Sequence, residues 1–575
     1  MISHKSFGYK IKLTLHIRHS LNSRLKEGET MTFFSFLYES EESKRESSKN
    51  DWMKFKRRSS LNRDKAYEYI GNKLVKVQPE EDNTMYPVFY EHLNLDGIIE
   101  KIYGRNIFLQ MEDVLTHLLV SKSTVSYRQG IMKDFEEYGC YKAFLNFRNS
   151  LKEVHQTIHY SQETKSMLQS DSYYLKAICL YSQAVLEWKN FYSQYDVTSE
   201  GLNRLKHLLI DYTEGEQFLA LEKQAKDLKL QMEKITYQLE IGEKQMKVRL
   251  GKCSQNYTQV LAEKVQKLVA HDTSYLTNLS VGIEVNKLET QIIEILKREY
   301  EDLFQACHDF VQKNRKFIAG FIKDIEDEMM FYIGFLDYMN ALKKKGFTFC
   351  YPQISEDKDM DIQGMYDLSL AVKKQSSNEV IDNDIKIERD EKGAFITGAN
   401  QGGKTTFIRG LGQMAYFTAL GLPVAAQSAV LPLYERIYTH FPEAENQYTN
   451  NGKLKEELIH LESMLESVHD KSLVLMNELF SSTTMKDGYE MGKRTIAKLT
   501  VVGATVFCVT HIMSLAQEDL GLVSLVAEIN EDKGTYKISR SPVDGYAHTN
   551  SLIKKYHLSY EEVKECLTYG NQSLV

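Results

Sequence analysis

The chain has 575 residues, 42% of them hydrophobic and 26% charged, a balance that excludes a disordered chain and leaves ample sequence for a buried core. Its 72 Lys and Arg against 79 Asp and Glu give a net charge of -7, which excludes a uniformly basic coat, so any nucleic-acid contact has to come from a local patch. No apolar run approaches the roughly 18 residues of a membrane span. Cysteines stand at 140, 179, 253, 307, 350, 508 and 566, with no Cys-x-x-Cys pair. An odd, scattered set fits a reducing, cytoplasmic setting better than a disulfide framework. Only 7 prolines occur, which favours long uninterrupted helices.

Taken in chain order, residues 1–30 are rich in Lys, Arg and His, and the first acid is Glu27. This stretch lacks the apolar core of a secretory signal. It reads as a flexible extension, or as sequence upstream of a natural start at Met31, in preference to an organelle-targeting segment. Residues 40–64 are Ser-rich and charged, and the expectation is a mobile arm. Lys54, Lys56, Arg57 and Arg58 are within reach of phosphate chemistry, but a solvated charge run is the plainer reading. Residues 1–80 are therefore set apart as a partly disordered N-terminal extension.

From about 85 to 345 the pattern is helical. Phe218, Leu221, Ala225, Leu228, Met232, Ile235 and Leu239 alternate by three and four, the spacing of a coiled-coil seam. A second stripe runs through Ile292, Leu296, Tyr300, Leu303, Cys307 and Phe310 and on to Phe317, Phe321 and Ile325. The spacing predicts two long helices able to pair as antiparallel levers. The expected divisions are a helical core and first lever over 81–239, a small tip over 240–282, and a second lever returning to the core over 283–375. His155 and His159 are four apart on a predicted helix, a geometry compatible with metal. With no third ligand and no His-Glu-x-x-His pattern, they read as surface or partly packed histidines.

The last division, 376–575, opens on an apolar strand (Ala394, Phe395, Ile396) followed by Gly398-x-x-x-x-Gly403-Lys404-Thr405 and a helical pattern. Strand, glycine-rich turn and helix in that order make a phosphate-binding loop. The backbone N–H groups of Gly398, Ala399, Asn400, Gln401, Gly402, Gly403 and the Lys404–Thr406 turn are placed to curl around a triphosphate, because glycine offers no obstructing side chain. Lys404 supplies a point charge at the β- and γ-phosphates, and the helix N-terminus adds its dipole. The Thr405 hydroxyl is a candidate ligand for Mg²⁺. A second buried strand, in the segment Lys471-Ser-Leu-Val-Leu-Met-Asn477-Glu478, delivers Asn477 and Glu478. Glu478 is the candidate that orients and polarises the attacking water. Asn477 is the second candidate at the metal, through an amide oxygen that brings no negative charge. A third strand, Ala504–Val509, ends in Thr510 and His511, and His511 is placed to hydrogen-bond a γ-phosphate or the lytic water. Polar residues at the carboxyl ends of several strands are the pattern of an open α/β sheet.

These segments resemble the ATPase domain of the MutS family, relatives of the ABC ATPases. ITGANQGGKTTFIR is similar to that family's phosphate loop, with Asn400, Gly403, Lys404, Thr406 and Arg409 in place. SLVLMNELFSSTTMKDG is similar to its acidic segment, with Glu478, Thr483, Asp487 and Gly488 in register. GLPVAAQSA (421–429) matches the segment after the first helix, with Ala425 where the family usually has Pro. DGYAHTNSLIKKYHLS (544–559) looks like the segment preceding the dimer-locking helices, and VLTHLLVSKSTVSYRQGIMKDF (114–135), with Arg128-Gln129, is similar to the start of the helical core. The resemblance implies an ABC-type P-loop ATPase domain behind a helical core with long levers. It implies Mg²⁺-dependent hydrolysis of ATP in composite sites of a homodimer, and a clamp on duplex, mismatched or branched DNA that serves mismatch repair or recombination, with downstream repair proteins as possible partners.

Three departures qualify it. Asn477 stands where such sites usually carry Asp. NNGKLKEELIHL (450–461) occupies the place of the segment that completes the partner's site, but lacks Ser-Thr after Gly452, leaving Lys453 and Lys455 to reach across. Third, the family's mismatch-reading domain is expected to be absent: Phe89-Tyr90-Glu91 has the letters of its wedge motif, but core-like sequence begins within about thirty residues and leaves no room for a wedge domain and a connector, so the match reads as coincidence. Two other readings stay open: an ATP-holding scaffold with little turnover, and an SMC-like or ABC-type ATPase acting on something other than DNA.

Overall fold

Low proline content and amphipathic spacing yield helices over most of the described residues between 88 and 343. The computed structural model describes residues 33–50, 68–70, 73–75, 88–164, 166–241, 246–251, 287–399, 401–441, 453–480, 483–530, 533–543, 560 and 564. After α1 (Glu41–Lys49) and a hairpin of β1 (Glu68–Ile70) and β2 (Lys73–Val75) come α2 (Val88–His92), α3 (Leu95–Thr116) and α4 (Lys122–Glu136). They are followed by α5 (Tyr138–Glu163), α6 (Met167–Gln194), α7 (Glu200–Glu214) and α8 (Glu216–Glu233). The antiparallel pair α5 and α6 is locked by Phe147 stacked on Trp188, with ring centroids 3.9 Å apart. The Ser166 and Ser199 side chains cap α6 and α7, each accepting one of the N–H groups that a helix start leaves without an intrahelical partner.

Both lever stripes are shorter than the spacing predicts. α8 buries Phe218, Leu221 and Ala225 against α6, but the helix stops at Glu233. Instead of continuing to Leu239, the chain turns to strand: β3 (Tyr237–Ile241) pairs antiparallel with β4 (Met246–Leu250). Thr236 marks the change, a β-branched residue ahead of the alternating pattern of Tyr237–Ile241. The second stripe is three helices: α9 (Lys287–Glu299), α10 (Glu301–Lys313) and α11 (Gly320–Lys343). Tyr300 leaves helical geometry at φ -122°, ψ 38° and divides the first two. Most of the expected tip, 252–282, lies outside the described residues, as do residues 1–32 and the 544–559 segment.

Residues 35–50, expected as part of a loose N-terminal extension, are bound into the fold. Phe36 and Leu37 are buried without regular secondary structure. Their backbone polar groups find partners on two helices, α4 and α11. Tyr127 of α4 donates to the Ser35 carbonyl at 2.7 Å, Arg128 Nε to the Leu37 carbonyl at 2.8 Å, and Tyr332 of α11 to the Phe36 carbonyl. Glu328 of α11 accepts from Ser35 Oγ at 2.8 Å and from the Phe36 N–H at 2.6 Å. Asn50 then donates to the carbonyls of Leu118 and Glu435, so one strap touches both the helical region and the nucleotide-binding part.

That part begins earlier than residue 376. β5 (Gln353–Ser355), β6 (Met360–Met365), β7 (Asn383–Ile387) and β9 (Ser428–Pro432) make a four-stranded sheet in the order β5-β9-β6-β7. Because β9 lies beyond the phosphate loop, pairing draws residues 353–365 into the same body. The main sheet has the order β10-β11-β12-β8-β13-β14, from β8 (Gly393–Gly398), β10 (Arg436–His440), β11 (Ser472–Asn477), β12 (Thr505–Val509), β13 (Val523–Asn530) and β14 (Lys533–Arg540). The first five run parallel and β14 closes the edge antiparallel. Strands β8, β11 and β12 are apolar along almost their whole length because helices cover both faces. One face packs against α13 (Lys404–Ala419). The other packs against α14 (Lys453–Leu465) and α15 (Met485–Val502), in a cluster with Phe395, Val474, Met476, Val506 and Cys508.

Helix α13 is buried nearly all round, as befits a helix covered on two sides. Its far side meets the helical region: Tyr416 and Tyr90 hydroxyls are 2.7 Å apart, Gln413 donates to the Leu93 carbonyl, and Phe417 packs on Phe335. Tyr90 is thus a core residue, and Phe89 beside it is buried too, which agrees with reading Phe89-Tyr90-Glu91 as a chance match.

Candidate nucleotide-binding site

Strand β8 ends at Gly398, where φ turns to 116°, and the loop closes through Gly403 at φ 87° before α13 begins. These are conformations that glycine adopts without strain. Gly402 serves closeness instead: a Cβ there would stand 3.0 Å from the Ala399 carbonyl and 3.1 Å from the Ala527 methyl. Gln401 is also left-handed, at φ 63°. Asn400 lies outside the described residues. Hairpin β13–β14 crosses the loop, with Tyr536 beside Gly403. Its bend is held by Asn383 of β7, which donates to the Tyr536 carbonyl and accepts the Ile538 N–H.

Lys404 is buried, and its ammonium donates to the carbonyls of Gly398 (2.8 Å) and Ala399 (2.7 Å). An ammonium has three N–H donors, so one remains for a phosphate. Burial lowers its pKa from the usual lysine range, and the nearby Glu478 carboxylate opposes that shift. Thr405 Oγ1 donates to Asn477 Oδ1 at 3.2 Å. Two neighbouring ligands of octahedral Mg²⁺ are about 3.0 Å apart, given bonds of about 2.1 Å. The Thr405 and Asn477 oxygens therefore suit adjacent positions on such an ion, although both are neutral. Among the described residues no group of three or more His, Cys, Asp or Glu side chains could hold a metal ion. His155 and His159 are instead engaged with Glu326 and Glu163.

Glu478 follows β11 with φ 54°, and its N–H donates to the Val509 carbonyl at 2.9 Å. Its Oε1 is 3.3 Å from His511 Nε2, and both side chains are partly open to solvent. β12 lies between β8 and β11. The residues that follow β12 therefore reach the carboxylate that follows β11, with the loop after β8 on the other side. Lys404, Thr405, Asn477, Glu478 and His511 thus stand at one edge of one sheet. Thr406, one residue further into α13, is half-buried. Arg409 turns away and donates to the His92 carbonyl, joining α13 to α2. Asp487 pairs with the Thr484 cap at the start of α15, and Gly488 packs under Ile512. Lys455 is exposed on α14. Gly452 and the side chain of Lys453 lie outside the described residues.

Sequence reasoning missed Asn383 and Tyr536, and a buried His440–Glu457 pair behind the Glu478 turn. None carries a local signal, because each acts through a contact between separate elements of the fold.

Residues 394–556 match the family description MutS domain V, and residues 120–345 match the MutS2 N-terminal domain. A DNA mismatch repair protein MutS from Thermotoga sp. (strain RQ2) is 26% identical over 239 residues, which is 41% of this chain and 29% of that protein. The protein of the same name from Fervidobacterium nodosum is 25% identical over 318 residues, 54% of this chain and 36% of its own length. One from Lactobacillus delbrueckii subsp. bulgaricus is 29% identical over 206 residues, 34% of this chain and 24% of its own. The matches thus span roughly a quarter to a third of these relatives. The phosphate loop, the acidic strand end and the helical region are the parts so matched, and on them the chain belongs to the MutS family.

Proposed function

We propose that the chain is a DNA-binding ATPase that hydrolyses ATP to ADP and phosphate in a site completed by a second copy. The observation that carries this reading is the convergence of Lys404, Thr405, Asn477, Glu478 and His511 at one sheet edge. The loop N–H groups and the free donor of Lys404 bind the β- and γ-phosphates. Thr405 and Asn477 would hold Mg²⁺, which neutralises phosphate charge when bound. Glu478 aligns a water for in-line attack, and its hydrogen-bond partner His511 responds to loss of the γ-phosphate. Release of phosphate removes contacts that only ATP supplies, so the dimer interface opens and closes with the nucleotide. The helices before the ATPase part then act as a clamp on DNA that is branched, mismatched or deformed, read by shape.

Mg²⁺-dependent ATP hydrolysis by the full chain tests this directly. Glu478→Gln should lower turnover at least a hundredfold while leaving ATP binding intact, and Lys404→Ala should lose both. Binding to a four-way junction, a mismatched duplex and a single strand should weaken steeply with salt if phosphates are contacted. A flat salt response would remove DNA from the reading.

A second reading, an ATP-holding scaffold, is favoured by Asn477, which gives the metal no negative charge. Wild-type protein that binds ATP but turns none over, with or without DNA, would select it.

A further inference from the structure

His440, the last residue of β10, and Glu457, early in α14, form a pair that is nearly out of solvent, with side chains 9% and 13% exposed. His440 Nε2 is 3.0 Å from Glu457 Oε1. The same carboxylate oxygen accepts the backbone N–H of Phe480 at 2.7 Å. Phe480 is two residues beyond Glu478, and both are left-handed, at φ 56° and φ 54°, a conformation that residues with a side chain adopt only where their surroundings enforce it.

Two anchors enforce it here. The Glu478 N–H is held by the Val509 carbonyl of β12. The Phe480 N–H is held by Glu457 of α14. Between and beyond them Leu479 and Phe480 are buried in the same cluster as Leu461 and Met464 of α14. The turn that presents the Glu478 carboxylate is therefore fixed on one side by the sheet and on the other by a helix. A charged acceptor at 2.7 Å from a backbone N–H is among the stronger hydrogen bonds a protein makes. Removing it leaves a buried N–H unpartnered and frees one side of the turn.

We propose that Glu457, oriented by His440, is a positioning residue that sets the Glu478 turn and ties the place of that carboxylate to α14. This rests on the ATPase reading above. It predicts that the length of the side chain at 457 matters more than its charge. Gln retains an oxygen at the same reach, able to accept from both Phe480 and His440. Asp retains the charge but falls short by one methylene.

The test compares the full wild-type chain with Glu457→Gln, Glu457→Asp and Glu457→Ala in two measurements. The first sets kcat against affinity for Mg·ADP. Ala and Asp should lose kcat about tenfold or more, the scale of a small misplacement of a reacting group, with ADP affinity within about twofold of wild type. Gln should stay close to wild type. The second is hydrogen exchange at the Phe480 amide, slow in wild type and Gln and faster in Asp and Ala. Wild-type turnover in Ala, equal turnover in Asp and Gln, or a parallel fall in kcat and ADP affinity would overturn the proposal. If Ala does not fold, the Gln–Asp pair decides. A wild-type chain with no ATPase defeats the functional reading by itself, and Phe480 exchange across the variants still decides whether Glu457 holds the turn.

Discussion

Two acids within the fold show how surroundings set the task of a side chain. Glu478 is partly open and carries a histidine on one oxygen, a setting in which a carboxylate stays available to water. Glu328 is wedged under the strap, and desolvation there outweighs its hydrogen bonds to Ser35 and Phe36, raising its pKa to about 7. A carboxyl whose folded pKa exceeds its unfolded value binds its proton more tightly when folded. Its favourable contribution is complete below the unfolded pKa, near 4.5, and is lost as pH rises through about 7. With some solvent still reaching the side chain, the loss is on the order of 2 kcal/mol. Urea midpoints should therefore fall between pH 5 and pH 8, and Glu328→Gln should flatten that fall. Equal pH slopes in the two proteins would show that Glu328 does not titrate in this window. Cys508, by contrast, is buried in β12 with its thiol pushed up to about 12, so it has no reactive thiolate at neutral pH.

At the scale of elements, α8 separates amphipathic spacing from actual burial. Its stripe keeps the three-four rhythm through Leu239, yet only the first turns pack on α6 and α10; Leu221 is 9% exposed, whereas Leu228 and Met232 are half-buried. Leu221→Ala should cost about 2–3 kcal/mol and Leu228→Ala about 1 kcal/mol or less, since the penalty follows the area removed from water and the cavity left behind. Chemical denaturation of the two variants checks this, and equal losses would mean that the seam continues as a packed coiled coil. Helix α13 presents the opposite case. It is buried on the sheet side and on the side of α2 and α3, and the loop at its N-terminus is thereby held between two bodies.

Across the whole molecule, the strap of residues 35–50 joins regions that are distant in sequence. The Phe36 N–H reaches Glu328 across 292 residues, and the Asn50 amide reaches Glu435 across 385. Arg128 completes the link. Fully buried, it donates to Leu37 and to Leu420, the residue that follows α13, and lies over the rings of Tyr38 and Phe331. A chain shortened through Glu39 should lose several kcal/mol, because Phe36 alone fills a core site whose emptying costs about 3–5 kcal/mol. It leaves Arg128 and Glu328 short of partners as well. Thermal unfolding of the shortened and full chains measures the difference; an unchanged transition would mean that the strap packs without contributing.

The sequence by itself determined the phosphate loop, the strand that delivers Asn477 and Glu478, the strand before His511 and the helical character of the first half. Each is a local matter: glycine at a turn, an apolar run before a polar pair, a periodicity. Tertiary structure alone decided where the helical stripes stop being buried and that residues 353–365 join the nucleotide-binding part. It also decided that an irregular N-terminal segment is core and that Glu457 holds the Glu478 turn. Such outcomes rest on hydrogen bonds and burial between residues far apart in the chain. A buried irregular segment has no period to betray it, and a carboxylate that caps a distant N–H looks, in sequence, like any other acid on a helix.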